Sequence, residues 1–292
     1  MESPLDTSDD SRSSQSEFWR DHFARNRAAA DSLPWHDTAA LSAGERAAIQ
    51  SSIQQFQLGE GSSGGRLLKR GGEFARKAHD SAFVPALALF VEEEQRHSAR
   101  LLRFMRREGI PPIENHWVDS IFRRLRVLAG LELSLRVLVS AEIIAVPYYR
   151  ALGSATKSPL LRAICAQILD DEAAHLRFQA SMLARLGARR LRALEWLAFR
   201  LHRMFLLGTT CVVWRGHGKV FKAARQRYRV LVREALAEFD GLERLSGDLR
   251  KIARLPSPAI PIGQSARLQP STSSSQTPLR ASGTSSRNPA PR

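Results

Sequence analysis

Apolar residues recur at helical spacing along most of this chain. Ile49, Ile53 and Phe56 follow one another at intervals of four and three residues and therefore share one helical face. The same periodicity, interrupted by segments rich in Gly and Pro, predicts helices over about residues 41–77, 80–108, 118–152, 159–186, 190–214 and 219–245. The sequence therefore predicts an all-α protein.

The two ends of the chain differ in composition from the helical region. Residues 1–16 are rich in Ser and Asp, and residues 256–292 are rich in Pro, Ser, Thr and Arg without an acidic residue. Both segments are predicted to be disordered, because they cannot bury enough apolar surface to fold. Between them we expect a helical bundle over residues 17–187 and additional basic helices, packed on it, over residues 188–250.

Two Glu-x-x-His motifs lie inside predicted helices, and a lone glutamate precedes each motif on a neighbouring helix. Residues three apart share a helical face, so each motif directs a carboxylate and an imidazole to one point. Four carboxylates and two imidazoles are the ligand set of a two-metal site in a four-helix bundle. The candidate ligands are Glu60, Glu94, His97, Glu142, Glu172 and His175.

The positions of the glutamates along their helices support this grouping. In an antiparallel helical hairpin, residues equidistant from the turn lie at one height. The midpoint between Glu60 and Glu94 falls at residue 77, close to the predicted start of the next helix. The midpoint between Glu142 and Glu172 falls at residue 157, inside the predicted turn 153–159. The Gly/Ser-rich segment 61–65 after Glu60 either forms a loop or leaves space beside the metals.

Charge balance identifies the class of metal. Four ionised glutamates buried together would repel one another strongly in an apolar core. Two divalent cations cancel that charge, and carboxylate oxygen with neutral imidazole suits Fe or Mn better than a metal that prefers thiolates. We therefore expect two Fe ions, with Mn as the alternative.

These residues resemble the ferritin-like di-iron carboxylate superfamily, which includes rubrerythrin, acyl-carrier-protein desaturases and di-iron oxygenases. The segments EEEQRH (92–97) and DDEAAH (170–175) are similar to the corresponding family segments. The resemblance covers about residues 41–187. It implies a ferritin-like four-helix bundle with a long crossover between the second and third helices, followed here by two extra C-terminal helices.

The resemblance also implies a role for each ligand. Glu94 and Glu172 would bridge the two metals. Glu60 and His97 would serve one metal, whereas Glu142 and His175 would serve the other. Asp171 would orient His97, and Glu93 would orient His175, because such partners fix the imidazole ring and raise its basicity.

Two features depart from the family. Desaturases and several hydroxylases have Thr at the position of Ala145, three residues after the glutamate of the third helix. The two cysteines, Cys165 and Cys211, form no C-x-x-C pair, so the chain has no rubredoxin-type iron site. Electrons would therefore come from an external electron donor.

The net charge of +15 favours anionic partners, such as an acyl carrier protein or a membrane surface. No nucleic-acid motif is present, so a nucleic acid is not the expected partner. A homodimer is compatible with the sequence. The acidic N-terminus lacks a signal-peptide pattern, and no apolar run reaches about 18 residues. We therefore expect a cytoplasmic protein, with peripheral membrane attachment through residues 204–214 as the alternative.

Three functions are compatible with these features. The first is a di-iron oxidoreductase that activates O2 to hydroxylate, desaturate or N-oxygenate an organic substrate. The second is iron handling, as a ferroxidase or a peroxide scavenger. The third is a basic binding protein for membranes or nucleic acid. A cavity lined by Leu, Phe and Ala beside the metals would favour the first over the second.

Overall fold

The computed structural model describes residues 7–29, 31–116, 130–188 and 191–254, and these residues form helices without any strand. The prediction of an all-α protein is thus confirmed. The helices are α1 (Thr7–Ala28), α2 (Ala43–Glu60), α3 (Gly65–Lys77), α4 (Phe83–Arg107), α5 (Leu131–Ser154), α6 (Pro159–Gly187), α7 (Arg192–Gly216), α8 (Gly218–Ala223) and α9 (Tyr228–Arg254).

The helices that carry the candidate ligands share one apolar core. α5 lies along α6, α2 packs against α4, and α4 contacts both α6 and α1. Burial of each large aliphatic side chain stabilises this core by roughly 1.5–3 kcal/mol. Fully buried members include Leu87, Leu101, Leu135, Ile143 and Ile168.

Local capping fixes where α2 and α6 begin. Ser42 caps α2 in a capping box with Glu45, and Ser158 caps α6 immediately before Pro159. The Glu45 carboxylate also accepts a hydrogen bond from the backbone N–H of Lys157 at 2.6 Å. Hydrogen bonds from Ser42 first, and then from Lys157, lower the pKa of Glu45 to about 2. This carboxylate therefore ties the start of α2 to the turn between α5 and α6.

The helical pattern over residues 41–77 is divided in two, and of the two alternatives for segment 61–65 the structure has the loop. α2 ends at Glu60, and residues 61–64 separate it from α3. Gly64 has a left-handed backbone with φ of 62°, and a Cβ atom there would lie 2.7 Å from both methyl groups of Val91. Only glycine fits this close approach, and Gly64 stands immediately before the first residue of α3. Glu60 nevertheless reaches the core, because it is the last residue of α2.

α1 begins at Thr7, within the segment 1–16 whose composition predicts disorder. The hydroxyl of Ser16 is held by the carboxylate of Asp80 at 2.6 Å and by Arg185 at 2.8 Å. This buried polar contact attaches α1 to the rest of the protein, which composition alone does not indicate. Residues 1–6 and the predicted tail 256–292 lie outside the described residues, as do residues 117–129 of the predicted crossover and third helix.

The last predicted helix, over residues 219–245, is divided in two. α8 ends at Ala223, the backbone of Arg225 is left-handed with φ of 54°, and α9 begins at Tyr228. α9 packs against α6 and α5, with Leu231 and Phe239 fully buried. No helix in the described part of the chain is long and apolar enough to cross a membrane.

Candidate metal centre

The six side chains singled out from the sequence come together from four helices. Glu60 ends α2, Glu94 and His97 lie on α4, Glu142 lies on α5, and α6 carries the remaining pair. Their ligand atoms form two groups, and within each group every ligand atom lies within 4.8 Å of the others. One group is Glu60, Glu94, His97 and Glu172, and the other is Glu94, Glu142, Glu172 and His175.

Glu94 and Glu172 belong to both groups, so the two groups adjoin through shared carboxylates. Nδ1 of His175 lies 2.8 Å from Glu94 and 3.6 Å from Glu172. Nδ1 of His97 lies 3.9 Å from Glu94 and 4.0 Å from Glu172. The two shared carboxylates therefore lie near the Nδ1 atoms of both imidazoles.

The far side of each imidazole contacts a carboxylate on the opposite helix. Nε2 of His97 lies 2.9 Å from Asp171, and Nε2 of His175 lies 3.0 Å from Glu93. An ionised carboxylate only accepts hydrogen bonds, so each Nε2 carries a proton and donates it. In a neutral ring this leaves the Nδ1 lone pair directed at the shared carboxylates. Both contacts are those expected for residues that orient metal ligands.

The inner atoms of this site lack hydrogen-bond partners. Nδ1 of His97, Nδ1 of His175, Oε1 of Glu94 and both carboxylate oxygens of Glu172 are buried without one. The 2.8 Å between His175 Nδ1 and Glu94 Oε1 is a close approach without hydrogen-bond alignment. Buried polar atoms are rarely left unpaired. Convergent unpaired oxygen and imidazole nitrogen atoms fit two divalent cations such as Fe or Mn.

Burial makes ionisation of the carboxylates unfavourable. It raises the pKa of Glu94 to about 8, and repulsion from Glu142 and Glu60 adds to that shift. Burial and then Glu172 raise the pKa of Glu142 well above its usual value. Burial raises the pKa of Glu172 to about 7. Bound cations would reverse this balance, because their charge is the largest in such a site.

For His175 and Glu93, neighbouring charges outweigh the effect of burial on the pKa. Burial acts to lower the pKa of His175, but the facing carboxylates of Glu94, Glu172 and Glu93 outweigh burial and raise it. Burial acts to raise the pKa of Glu93, but His175 and Arg96 outweigh burial and lower it. Arg96 also donates a hydrogen bond to Glu93 at 2.7 Å. Glu93 is therefore held ionised and fixed in orientation.

Two further residues touch the candidate ligands; their helical spacing placed them on the ligand-bearing faces, but the sequence did not predict their contacts with the ligands. The hydroxyl of Tyr149 donates a hydrogen bond to Glu60 at 2.6 Å, and the side-chain amide of Gln179 donates one to Glu142 at 3.2 Å. Tyr149 lies seven residues after Glu142, and Gln179 lies four after His175. Both therefore share the ligand-bearing faces of α5 and α6. That spacing is the signal by which they were detectable.

Two cavities adjoin the site. A cavity of about 160 Å³ is bordered by Glu60, Glu94 and Glu142, and its remaining walls are mostly apolar. The apolar walls include Phe56, Val137, Leu138, Ala141, Ile144, Ala145 and Val213. A second cavity of about 320 Å³ is lined by the segment 62–65 together with Phe90 and Val91. The Gly/Ser-rich break after α2 thus borders open space next to Glu60.

Comparisons with protein-family models, with curated proteins and with solved structures found no match for this chain.

The arrangement has two chemical capabilities. It offers two adjoining sets of oxygen and nitrogen ligands that share two carboxylates, which suits a pair of divalent metals. It also places an apolar cavity against three of the ligand glutamates, where an organic molecule has room to bind.

Proposed function

We propose that α2, α4, α5 and α6 form a ferritin-like two-metal bundle and that the protein is a di-iron oxidoreductase. It activates O2 to oxidise an apolar organic substrate, with electrons from an external donor. The observation that carries this proposal is the pair of adjoining ligand groups that share Glu94 and Glu172. Glu60 and His97 complete one group, and Glu142 and His175 complete the other.

When bound, two reduced irons would supply electrons and open coordination positions for the reduction of O2. The protein's own residues provide the setting for that chemistry. Asp171 and Glu93 hold the Nε2 protons of the two histidines, so that both Nδ1 lone pairs face inward. Tyr149 and Gln179 donate hydrogen bonds that orient Glu60 and Glu142.

The apolar cavity favours substrate oxidation over iron handling. Apart from the three glutamates, the walls of this cavity are mostly apolar, which suits an organic molecule better than hydrated cations. Ala145 lies in its wall, so no hydroxyl stands where desaturases carry Thr. Polar contacts in this region instead involve His217, which lines the cavity and whose Nδ1 lies 2.7 Å from the hydroxyl of Ser52. We therefore expect a substrate with an apolar body.

Metal content is the first test of this proposal. Protein purified from iron-replete cells should contain about two Fe per chain and absorb in the near ultraviolet as an oxidised iron pair. Glu94→Ala and Glu172→Ala should each lose most of this metal, because each removes a ligand from both groups. Glu92→Ala is the matched control, since Glu92 is a half-exposed neighbour whose contact is a surface ion pair with Arg27 at 3.4 Å.

A second measurement separates the proposal from iron handling. The reduced protein with two Fe per chain is exposed to O2, first without and then with excess Fe(II). An oxidoreductase should not accumulate iron beyond two per chain, whereas a ferroxidase that stores iron would. Protein that binds neither Fe nor Mn after anaerobic reconstitution would refute the proposal.

A further inference from the structure

α7 presents a row of large apolar side chains at the protein surface. Leu197, Leu201 and Met204 are 45%, 57% and 70% exposed. They are spaced by four and three residues and therefore lie on one side of the helix. Three more exposed residues flank this row on the same side. The complete set, named here the α7 apolar face, is Leu194, Trp196, Leu197, Leu201, Met204 and Leu207.

The opposite side of α7 fixes the helix to the protein. Leu206 is fully buried, and both ring nitrogens of His202 have partners on α5. Nδ1 of His202 lies 3.1 Å from Arg136, and Nε2 lies 3.1 Å from the hydroxyl of Ser140. Among the described residues, the α7 apolar face is thus the side of the helix that does not pack against the protein.

The exposed charged residues of the helix that carries this face, and of the short helix after it, are basic. The exposed charged residues of α7 and α8 are Arg192, Arg200, Arg215, Lys219 and Lys222. Glu195, the acidic residue within these two helices, is half-buried and lies 3.7 Å from Arg250. The guanidinium of Arg200 lies over the ring of Trp196 at 5.3 Å. The helix therefore combines an exposed apolar face with exposed arginines, of which Arg200 contacts a residue of that face.

We propose that the α7 apolar face binds the surface of an anionic phospholipid bilayer. Contiguous exposed apolar residues of this extent mark an interaction surface. An amphipathic helix with Leu and Trp at its centre and Lys and Arg at its edges lies in a bilayer interface without crossing it. Anionic headgroups attract each of the flanking cations, while the acyl region removes the leucines from water.

Charge favours a bilayer over a second copy of the chain or a nucleic acid as the partner of this face. A symmetric contact between two copies would set the same basic residues against each other, and each chain carries a net charge of +15. A nucleic acid would pair with the arginines but would leave the leucines and Met204 exposed to water. An anionic lipid surface satisfies both the cations and the apolar side chains.

The same helix borders the cavity beside the candidate metal centre. Thr209 and Val213 of α7 line that cavity from the side opposite the apolar face. A bound bilayer would therefore lie against the outer side of a helix whose inner side lines the cavity. The docking itself requires no metal, so it can be tested separately from the proposed oxidoreductase function.

The test is flotation of the full chain with phosphatidylcholine vesicles and with vesicles that contain phosphatidylglycerol as well. The wild type should float with the anionic vesicles. With the neutral vesicles it should remain unbound at the bottom of the gradient. The Leu197→Glu/Leu201→Glu variant should bind at least tenfold more weakly, because two leucines that would be buried in the bilayer become charges. The Phe18→Glu/Leu133→Glu variant makes the same change in charge at two exposed apolar residues elsewhere and should bind within twofold of the wild type.

Quenching of tryptophan fluorescence by brominated lipid gives an independent measurement of the same contact. Vesicles of brominated phosphatidylglycerol should quench the wild type, and Trp196→Phe should remove most of that quenching. Equal binding by the two Glu double variants, or no wild-type binding to anionic vesicles, would overturn the proposal. A dimer in solution that Leu197→Glu/Leu201→Glu dissociates, without vesicle binding by the wild type, would assign the face to a second copy instead.

Discussion

Glu93 on α4 and His175 on α6 are joined across the candidate metal centre, with 3.0 Å between the carboxylate and Nε2. The hydrogen bond fixes the ring so that Nδ1 faces Glu94 and Glu172. A second contact of the same kind joins these helices in the opposite direction, from Asp171 on α6 to His97 on α4. Each Glu-x-x-His helix therefore orients the histidine of the other helix.

Glu93→Gln should weaken metal binding without removing a ligand. The amide keeps the shape of the side chain but loses the charge that raises the basicity of His175. We expect the affinity for Mn(II), measured by anaerobic titration, to fall about 10–100-fold. Glu92→Gln is the control, because Glu92 is the adjacent residue and is half-exposed. Equal affinities for the two variants would contradict an orienting role for Glu93.

Glu142→Gln should separate metal binding from folding. Metal at about 100 times its dissociation constant stabilises a protein by about 2.7 kcal/mol. For a chain of this size we therefore expect Mn(II) to raise the melting temperature of the wild type by roughly 5–10 °C. The variant loses a ligand and should lose most of this increase. It also loses one of several mutually repelling buried carboxylates, so its metal-free melting temperature should match or exceed that of the wild type.

The control for this measurement is Glu73→Gln, since Glu73 is exposed on α3 and belongs to neither ligand group. It should keep the full increase in melting temperature. An unchanged response to Mn(II) in Glu142→Gln would exclude Glu142 as a ligand.

Gly64→Ala should destabilise the break between α2 and α3. The added Cβ would meet Val91 at 2.7 Å, and the left-handed backbone disfavours any side chain. We expect a loss of about 2–4 kcal/mol in the free energy of unfolding, measured with urea. Gly44→Ala is the matched control, because nothing lies within 4 Å of its added Cβ. Val91→Ala should relieve the steric part of the loss when combined with Gly64→Ala.

The free energy of unfolding should decrease as the pH is lowered, because His217 is buried in its neutral form. Burial lowers the pKa of His217 to about 4, whereas the unfolded chain takes up this proton near the usual value of 6.5. Between these two values the unfolded state binds more protons, so stability is lost as the pH falls from about 6.5 to 4. The contribution of this one group approaches 3 kcal/mol.

The pH series should be repeated with His217→Asn, whose side chain can still pair with Ser52. The difference in unfolding free energy between pH 6.5 and 4 should shrink by most of that amount. His79→Asn is the control, because His79 is exposed and asparagine tolerates its left-handed backbone. A shrinkage of the same size in both variants would show that burial of His217 is not its cause.

The sequence alone determined the helical class and the composition of the candidate site. Periodicity of 3.6 residues depends only on local spacing, so α4, α6 and their Glu-x-x-His faces were predictable. The turn between α5 and α6 was predictable as well, because Ser158 and Pro159 are local signals. The orienting roles of Asp171 and Glu93 followed only from the resemblance to the di-iron carboxylate family and not from local spacing.

Tertiary structure decided what local spacing leaves free. The rotation and height of one helix against another depend on how side chains interlock, and this packing brings Tyr149 to Glu60 and Gln179 to Glu142. Between α2 and α3, Gly64 has a left-handed backbone and lies close to Val91. This is a contact between residues distant in sequence. Packing of Leu206 and His202 also determined that Leu197 and Leu201 face outward. A periodic apolar sequence specifies that a helix has an apolar face, but only its neighbours determine whether that face is buried.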